Sequence, residues 1–300
     1  MGPQGKRDGG AGLTGGGFAH SVVLHQAGET NVSTMTLSAR RLADGADIKV
    51  TLAEETALAV TYDGTTQAVL MGSPADLEDF AYGFSLTEGI ASPEEIESVT
   101  PERVENGIDL RIWLKPQAGQ RFIARRRRTV GPVGCGLCGV ETLAAAMRPL
   151  DLVTGSAVIS AEDLDRAVAA MDGGQALRDA TGATHAAGFY VPGRGLVALR
   201  EDVGRHNALD KLAGALVRGG DAGLIGQGAV IMTSRISVDL VQKTAVMGAP
   251  VLIALAAPTT AAVAAAEAAG IGLAARARSA ARAEIHARPD RFGLGDGARA

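Results

Sequence analysis

The sequence predicts an α/β protein in which a largely parallel sheet carries helices on both faces, preceded by a smaller, β-rich α+β unit. Three observations carry this expectation. In the second half, short apolar runs alternate with helical periods: 228–233, 238–247, 250–256, 260–269 and 271–275. In the first half, strand-like segments cluster ahead of the first helix signal. The 300 residues leave ample room for a core, and with aromatics at 3% that core must be built from Ala, Val, Leu and Ile.

The elements follow in order. Residues 1–34 are Gly-rich and polar and read as a flexible tail, without the apolar centre of a signal peptide. From Met35 the signals turn strand-like: Asp47-Ile48-Lys49-Val50-Thr51-Leu52 alternates, and 57–62 and 67–71 form a hairpin across Asp63-Gly64. Ser73-Pro74 opens a helix, with Ser73 at its cap, that runs through Leu77, Phe80 and Phe84 towards Gly89. Ser92-Pro93-Glu94-Glu95 opens a shorter one, and strands are expected at 108–114 and 120–125. Ser160 caps a helix running to about Met171. A hairpin is expected from 185–191 and 195–200, and a helix over 203–218 with Leu209, Leu212 and Leu216 on one face. The strand at 271–275 is expected to be the last. The division expected is a tail over 1–34, an N-terminal α+β domain over 35–150, an α/β domain over 151–292 and a tail over 293–300.

Charge and hydropathy narrow the function classes. A net charge of −4 argues against a general nucleic-acid binder. The charge-free stretch 244–266 is mostly Ala and is interrupted by Pro258-Thr259-Thr260, so it reads as strand, turn and helix rather than a membrane span. A cytoplasmic protein without a membrane span is expected.

Chemistry concentrates at Gly134-Cys135-Gly136-Leu137-Cys138-Gly139, which holds the only two cysteines of the chain. Arg125 to Arg128 lie just upstream, and 140–147 reads as a helix start. Nearby cations and a helix N-terminus favour the thiolate, the nucleophilic form. The spacing suits a reducing compartment better than a disulfide scaffold. Four readings of Cys135 and Cys138 stand side by side: buried apolar filler, a zinc site completed by His185 and His206, a thioredoxin-like dithiol, and a thiolate that carries sulfur as a persulfide. Spacing alone does not decide between the last two.

Three further segments bear on function. Residues 200–211 pack seven ionisable side chains around one helix start. Such runs are mostly salt-bridged helix ends, yet Gly204, His206 and Asn207 are poor helix formers, which points to a site with His206 as a proton carrier at neutral pH. Thr233-Ser234-Arg235-Ile236-Ser237 joins a buried strand to a helix, where open α/β sheets bind ligands; Ser234 and Ser237 offer hydroxyls and Arg235 a fork for a phosphate, and the alternative is an ordinary helix cap. The tract Arg276-Ala277-Arg278-Ser279-Ala280-Ala281-Arg282 follows the 271–275 strand and is either a basic surface tail or an anion clamp. His185, in Thr184-His185-Ala186-Ala187, reads by itself as a hydrogen-bonded core residue.

Gly134-Cys135-Gly136-Leu137-Cys138-Gly139-Val140-Glu141, Thr184-His185-Ala186-Ala187, the run 201–211, and Ser234-Arg235 with Val241-Gln242-Lys243 occur in that order. Together with Ser73-Pro74 and 83–90 they resemble the FdhD family of sulfur carrier proteins needed for formate dehydrogenase activity, over roughly residues 50–292. The resemblance implies that sulfur arrives from a cysteine desulfurase as a persulfide on Cys135, with Cys138 as its partner. It implies transfer to the molybdenum cofactor in its bis-molybdopterin guanine dinucleotide form, for formate dehydrogenase. It implies cofactor contacts from Arg276, Ala277, Arg278, Ser279, Ala280, Ala281 and Arg282, beside Ser234, Arg235 and His206, no resident metal, and a homodimer. It also implies a cytidine-deaminase-like α/β/α domain. The zinc deaminase signature is absent, because Ala186-Ala187 follow His185 without the catalytic Glu. The alternative function is a dithiol-disulfide oxidoreductase, and a third is a nucleotide-binding scaffold with a structural zinc.

Overall fold

The computed structural model describes residues 33–127 and 150–295. The cysteine loop, the helix start at 140–147 and most of the two expected tails lie outside the described residues.

A ribbon of β1 (Thr34–Arg40) and β2 (Asp47–Ala53) comes first, paired antiparallel. A four-stranded sheet follows, of β3 (Thr56–Tyr62), β4 (Thr65–Gly72), β5 (Ile96–Val104) and β6 (Gly107–Leu114) in the order β4-β3-β6-β5. The β3–β4 hairpin turns at Asp63 and Gly64, whose φ values of 47° and 74° are what a tight two-residue turn requires. Strand β5 is not signalled by alternation in the sequence. It carries Pro101 and lies at the sheet edge, where a missing backbone donor is tolerated. Apolar side chains of β3 and β6 pack with Phe80 and Phe84 of α1 (Leu77–Thr87) and Phe122 of α2 (Pro116–Arg127).

Three expectations are corrected here. Residues 120–125 are helical, not a strand: Pro116 occupies the first helical position, and Ala118 and Phe122, one turn apart, both face the core. The helix expected from Ser73 begins at Leu77 instead. Ser73 is fully buried and its backbone and hydroxyl are used in contacts with residues 202–211, so it is not a helix cap. The helix expected at Ser92 is a single 3-10 turn, Pro93–Glu95, held by a reciprocal Ser92–Glu95 cap.

The second sheet has six strands in the order β12-β11-β10-β9-β7-β8. Strands β9 (Ala229–Met232), β10 (Val251–Ala254) and β11 (Gly272–Ala275) are parallel. The hairpin β7 (His185–Val191) and β8 (Gly195–Asp202) lies beside β9, with β7 antiparallel to both neighbours. The strand expected to be last is followed by β12 (Glu284–Ala287), which returns antiparallel along β11. Before β7 come α3 (Ala161–Gly173), capped by Ser160 as expected, and the short α4 (Ala176–Thr181). One face packs against α5 (Arg205–Arg218), α6 (Val238–Met247) and α7 (Thr260–Ala269). The opposite face buries Leu164, Ala167, Val168 and Met171 of α3 together with Ile159 and Phe292. The mixed α/β class, with helices on both faces of a partly parallel sheet, is therefore present.

The two sheets meet through helices. Helix α1 crosses α5 at Gly83 and Gly214: a Cβ at Gly83 would lie 1.6 Å from the Asp210 carbonyl oxygen, and one at Gly214 1.8 Å from that of Asp79. These atoms are backbone and cannot swing aside. Gly83→Ala is therefore expected to destabilise the protein by at least about 2 kcal/mol. Gly173→Ala, where a Cβ meets nothing within 4 Å, should stay within about 1 kcal/mol of the parent. Urea midpoints of the two variants check this; equal midpoints would show that the crossing is not tight.

Candidate functional site

The run 200–211 divides into two groups with different work. Asp202, Asn207, Asp210 and Lys211 are buried and act as joints between the two sheets. The Asp202 carboxylate accepts from the Ser73 and Gly204 amides at 3.0 and 2.7 Å and from the Asn207 amide group at 3.0 Å, and pairs with Lys211 at 2.6 Å. Lys211 also donates to the Ser73 carbonyl, and Asn207 to that of Met71, both at 2.9 Å. One turn on, Asp210 accepts from Thr87 at 2.6 Å and from Lys243 of α6 at 2.9 Å, while Lys243 also reaches Glu88 at 2.7 Å. Burial works against the Lys243 ammonium, yet the carboxylates of Asp210 and Glu88 hold its pKa above the ordinary lysine value. Asp79 of α1 pairs with both Arg200 and Arg218.

Arg205 turns away from this joint, and His206 lies at its edge, near both Arg205 and the Lys243–Glu88 pair. They form the first turn of α5, after Gly204 at the cap. This turn follows β8, which runs parallel to β9, so it sits at the carboxyl end of the central strands. Ser234 and Arg235 leave β9 at that same end, and Ser237 precedes the first turn of α6. Ser234 is buried and donates to the Arg235 carbonyl at 3.0 Å; the Arg235 side chain is exposed. His185, at the start of antiparallel β7, joins the same end.

Burial, with Arg205 and then Lys243 nearby, depresses the His206 pKa to about 4, Glu88 opposing. The expectation of a proton carrier at neutral pH is corrected: the ring is neutral there, because cations surround it in a half-closed setting. His185 is also lowered, by burial and then by Arg205. Arg205 itself is lowered by burial and by Arg235, with Asp239 opposing. His206 Nε2 stands 3.8 Å from an Asp239 oxygen, beyond hydrogen-bond range. Arg205 Nε, His206 Nε2 and Ser237 Oγ are buried atoms without a hydrogen-bond partner.

The basic tract crosses the same sheet end. The Arg276 amide donates to Ala256 and that of Ala277 to Ala254, both at 3.0 Å, so the chain leaving β11 folds over the end of β10. Arg276 adopts φ 49°, rare for a residue with a side chain. Arg276, Arg278, Ala281 and Arg282 are exposed, Ser279 and Ala280 half-buried, and the Ala277 side chain lies wholly in the core. Segments far apart in sequence, with Ser234, Arg235, His206 and the 276–282 tract, thus share one end of the sheet. Ser237, expected from sequence to offer a hydroxyl, lies at this end; Arg205 and Asp239 were not singled out from sequence, although Gly-Arg-His at one helix start and Ser-Val-Asp at the next were the available signals. Cys135 and Cys138 lie outside the described residues. Among the described residues no three His, Cys, Asp or Glu side chains gather as a metal-holding group.

Comparison with known proteins gives a consistent set of likenesses. The FdhD/NarQ family profile matches residues 53–293. The sulfur carrier protein FdhD of Agrobacterium fabrum is 48% identical over 242 residues, covering 80% of this chain and 88% of that protein. Its counterpart from Brucella abortus is 50% identical over 227 residues, covering 75% and 84%. Among solved structures, one assigned as a formate dehydrogenase accessory protein from Desulfotalea psychrophila superposes with a TM-score of 0.64 at 22% identity, covering 86% of this chain and 98% of that one.

Two outcomes are expected from this geometry. Lys211→Met strands the fully buried Asp202 charge and should cost about 3–5 kcal/mol in denaturant unfolding; a loss under 1 kcal/mol would mean that the pair does not join the sheets. His206 has a folded pKa near 4 against an ordinary 6.5, so between those values the unfolded chain binds the extra proton. Stability should therefore hold above about pH 6.5 and fall as pH drops towards 4, by at most about 3 kcal/mol before solvent screening. Unfolding free energies across that window should flatten in His206→Asn, and an unchanged slope would remove His206 as the cause.

Proposed function

The chain belongs to the FdhD/NarQ family, and on that premise we propose that it is a sulfurtransferase that carries sulfur to the molybdenum cofactor for formate dehydrogenase. The observation that carries the reading is the convergence of Arg205, His206, Arg235 and the 276–282 tract on one sheet end, a cradle suited to an anionic nucleotide. The names of the relatives supply the sulfur, and the Cys135-x-x-Cys138 pair supplies the nucleophile.

The Cys135 thiolate attacks the outer sulfur of a persulfide on a cysteine desulfurase; an S–S bond forms on Cys135 as the donor's S–S bond breaks, and the donor leaves as thiolate. Arg125 to Arg128, just upstream in sequence, favour the anionic nucleophile and draw in the anionic cofactor. The outer sulfur then passes to the metal of the bound bis-molybdopterin guanine dinucleotide, the substrate. Reduction of that sulfur atom takes two electrons, which the reduced metal supplies as it becomes the oxidised metal sulfide, and Cys135 returns to thiolate. Cys138 assists Cys135. The exposed arginines Arg276, Arg278 and Arg282 engage the cofactor's anionic groups, with Ser279, Ala280, Ala281 and Ser234 beside them. Ala277 supports the turn from the core, since its amide and side chain are already engaged.

We read the six-stranded domain as cytidine-deaminase-like, because helices start at the carboxyl ends of its central parallel strands. Here those starts present Arg205-His206 and Ser237 rather than zinc ligands. We further read the protein as a cytoplasmic homodimer; no helix of the described residues is long and apolar enough to cross a membrane.

Intact mass after incubation with a cysteine desulfurase and free cysteine tests the reading. Wild type should gain one sulfur that reduction removes, Cys138→Ala should retain at least part of it, and Cys135→Ala should gain none. Rapid disulfide cycling without sulfur gain would instead identify a dithiol-disulfide oxidoreductase.

A further inference from the structure

Strands β1 and β2 contribute no residue to any of the three apolar cores of the described residues. Their register nonetheless sorts the side chains by face. Met35, Leu37 and Ala39 stand opposite Leu52, Val50 and Ile48 on one side, and Thr36, Ser38 and Arg40 stand opposite Thr51, Lys49 and Asp47 on the other. The polar side satisfies itself: Lys49 donates to Ser38 at 2.7 Å and Arg40 pairs with Asp47 at 3.2 Å. The apolar side is open, with Met35 53%, Leu37 44% and Leu52 42% exposed, and Leu42 at the tip is wholly exposed. A two-stranded ribbon is marginal in water unless something covers such a face. A second open surface lies on the four-stranded sheet. Helices α1 and α2 cover its other side. Ala57 and Ala59 of β3 face outward beside their cross-strand partners Met71 and Val69 of β4, which are 51% and 61% exposed. Strand β4 is an edge strand with neither a charge nor a proline to keep a partner away.

We propose that two copies of this chain exchange these ribbons as arms, the apolar face of each β1–β2 ribbon covering the outward face of β3 and β4 in the other copy. The exchange rests on the homodimer reading above and assigns that dimer its surface. Area decides between the ways in which two copies could use the ribbon. A face of two seven-residue strands measures about 24 Å by 10 Å, or about 240 Å². Two ribbons packed only on each other would bury about 500 Å² in total, no more than a casual lattice contact. Two reciprocal contacts of ribbon on sheet bury about 1,000 Å², the least that a specific interface needs. Both surfaces are pleated and apolar, so they can pack face to face and leave water together. Each copy gives one arm and receives one, so a two-fold axis closes the assembly at two chains. The charged partners on the ribbon's polar side, Arg40, Asp47 and Lys49, stay in solvent and lose no hydration.

Sedimentation velocity over a range of concentrations tests this, on the full-length chain and on two variants, Leu37→Lys in the arm and Val69→Glu on the sheet. Both side chains are exposed and lie outside the cores, so near-ultraviolet circular dichroism should show each variant folded. Wild type should sediment as a dimer. Each variant alone places unpaired charges in both contacts and should dimerise about a hundredfold or more weakly. An equimolar mixture of the two variants should recover the dimer. In it the new cation and the new carboxylate share one contact, and the other contact is unaltered on both sides. A monomeric wild type would remove the homodimer reading and the exchange with it. A dimeric wild type with either variant dimerising equally well would overturn the exchange and leave the homodimer standing. Failure of the mixture to recover the dimer would likewise overturn the pairing of arm with sheet.

Discussion

The architecture depends on one close contact, the crossing of α1 and α5 at Gly83 and Gly214. Side chains at these positions would collide with backbone, so the helices approach until their main chains touch. That approach brings the end of β4 and Ser73 against the start of α5. There, groups that could not otherwise be buried complete one another: Asp202 with Lys211, and both with the Ser73 backbone. A buried ion pair of this kind is poor evidence of net stability, but either charge alone would be costly. It therefore makes the relative placement of the sheets specific, and the Asp210–Lys243–Glu88 group ties α6 and the end of α1 into the same arrangement.

The joint and the candidate site are neighbouring faces of the same helix start, with His206 at their boundary. Residues of α5 that face α1 are neutralised and buried. Those one position away, Arg205 and His206, are held at the carboxyl end of the sheet by the same rigid turn. Parallel strands place the starts of successive helices at one end, so β9–α6 and the segment after β11 arrive there without a dedicated scaffold. The result concentrates basic donors on one edge of a protein whose overall charge is −4. Net charge said nothing about this local balance.

Much of the fold was legible in the sequence. The alternation of short apolar runs with helices fixed β9 to β11 and α5 to α7, and Asp63-Gly64 marked the β3–β4 turn. The misreadings have physical causes. Residues 120–125 contain strand-compatible Phe122 and Ile123, but Pro116 had already set a helix whose buried side holds Ala118 and Phe122. Strand β5 is polar over most of its length because it is an edge, so it lacks the apolar rhythm that reveals inner strands. Ser73-Pro74 looks locally like a helix start, and only contact with residues 129 to 138 positions away explains its burial.

By itself the sequence determined the chemistry on offer: one thiol pair, an arginine run before it, a dense ionic motif at a helix start and a basic tract after a buried strand. Family membership was also readable, because several specific motifs recur in a fixed order. Only the tertiary structure decided which charges are structural and which remain available. Residues adjacent in sequence differ by about 100° around a helix, so Asn207 and Lys211 turn into the junction while Arg205 turns towards the sheet end; His206, one turn before Asp210, lies between the two, near Arg205 and also near Lys243 and Glu88. Likewise the depressed His206 pKa arises from Arg205, Lys243 and Arg235, two of which are distant in the chain, and burial and charge proximity are properties of packing rather than of residue order.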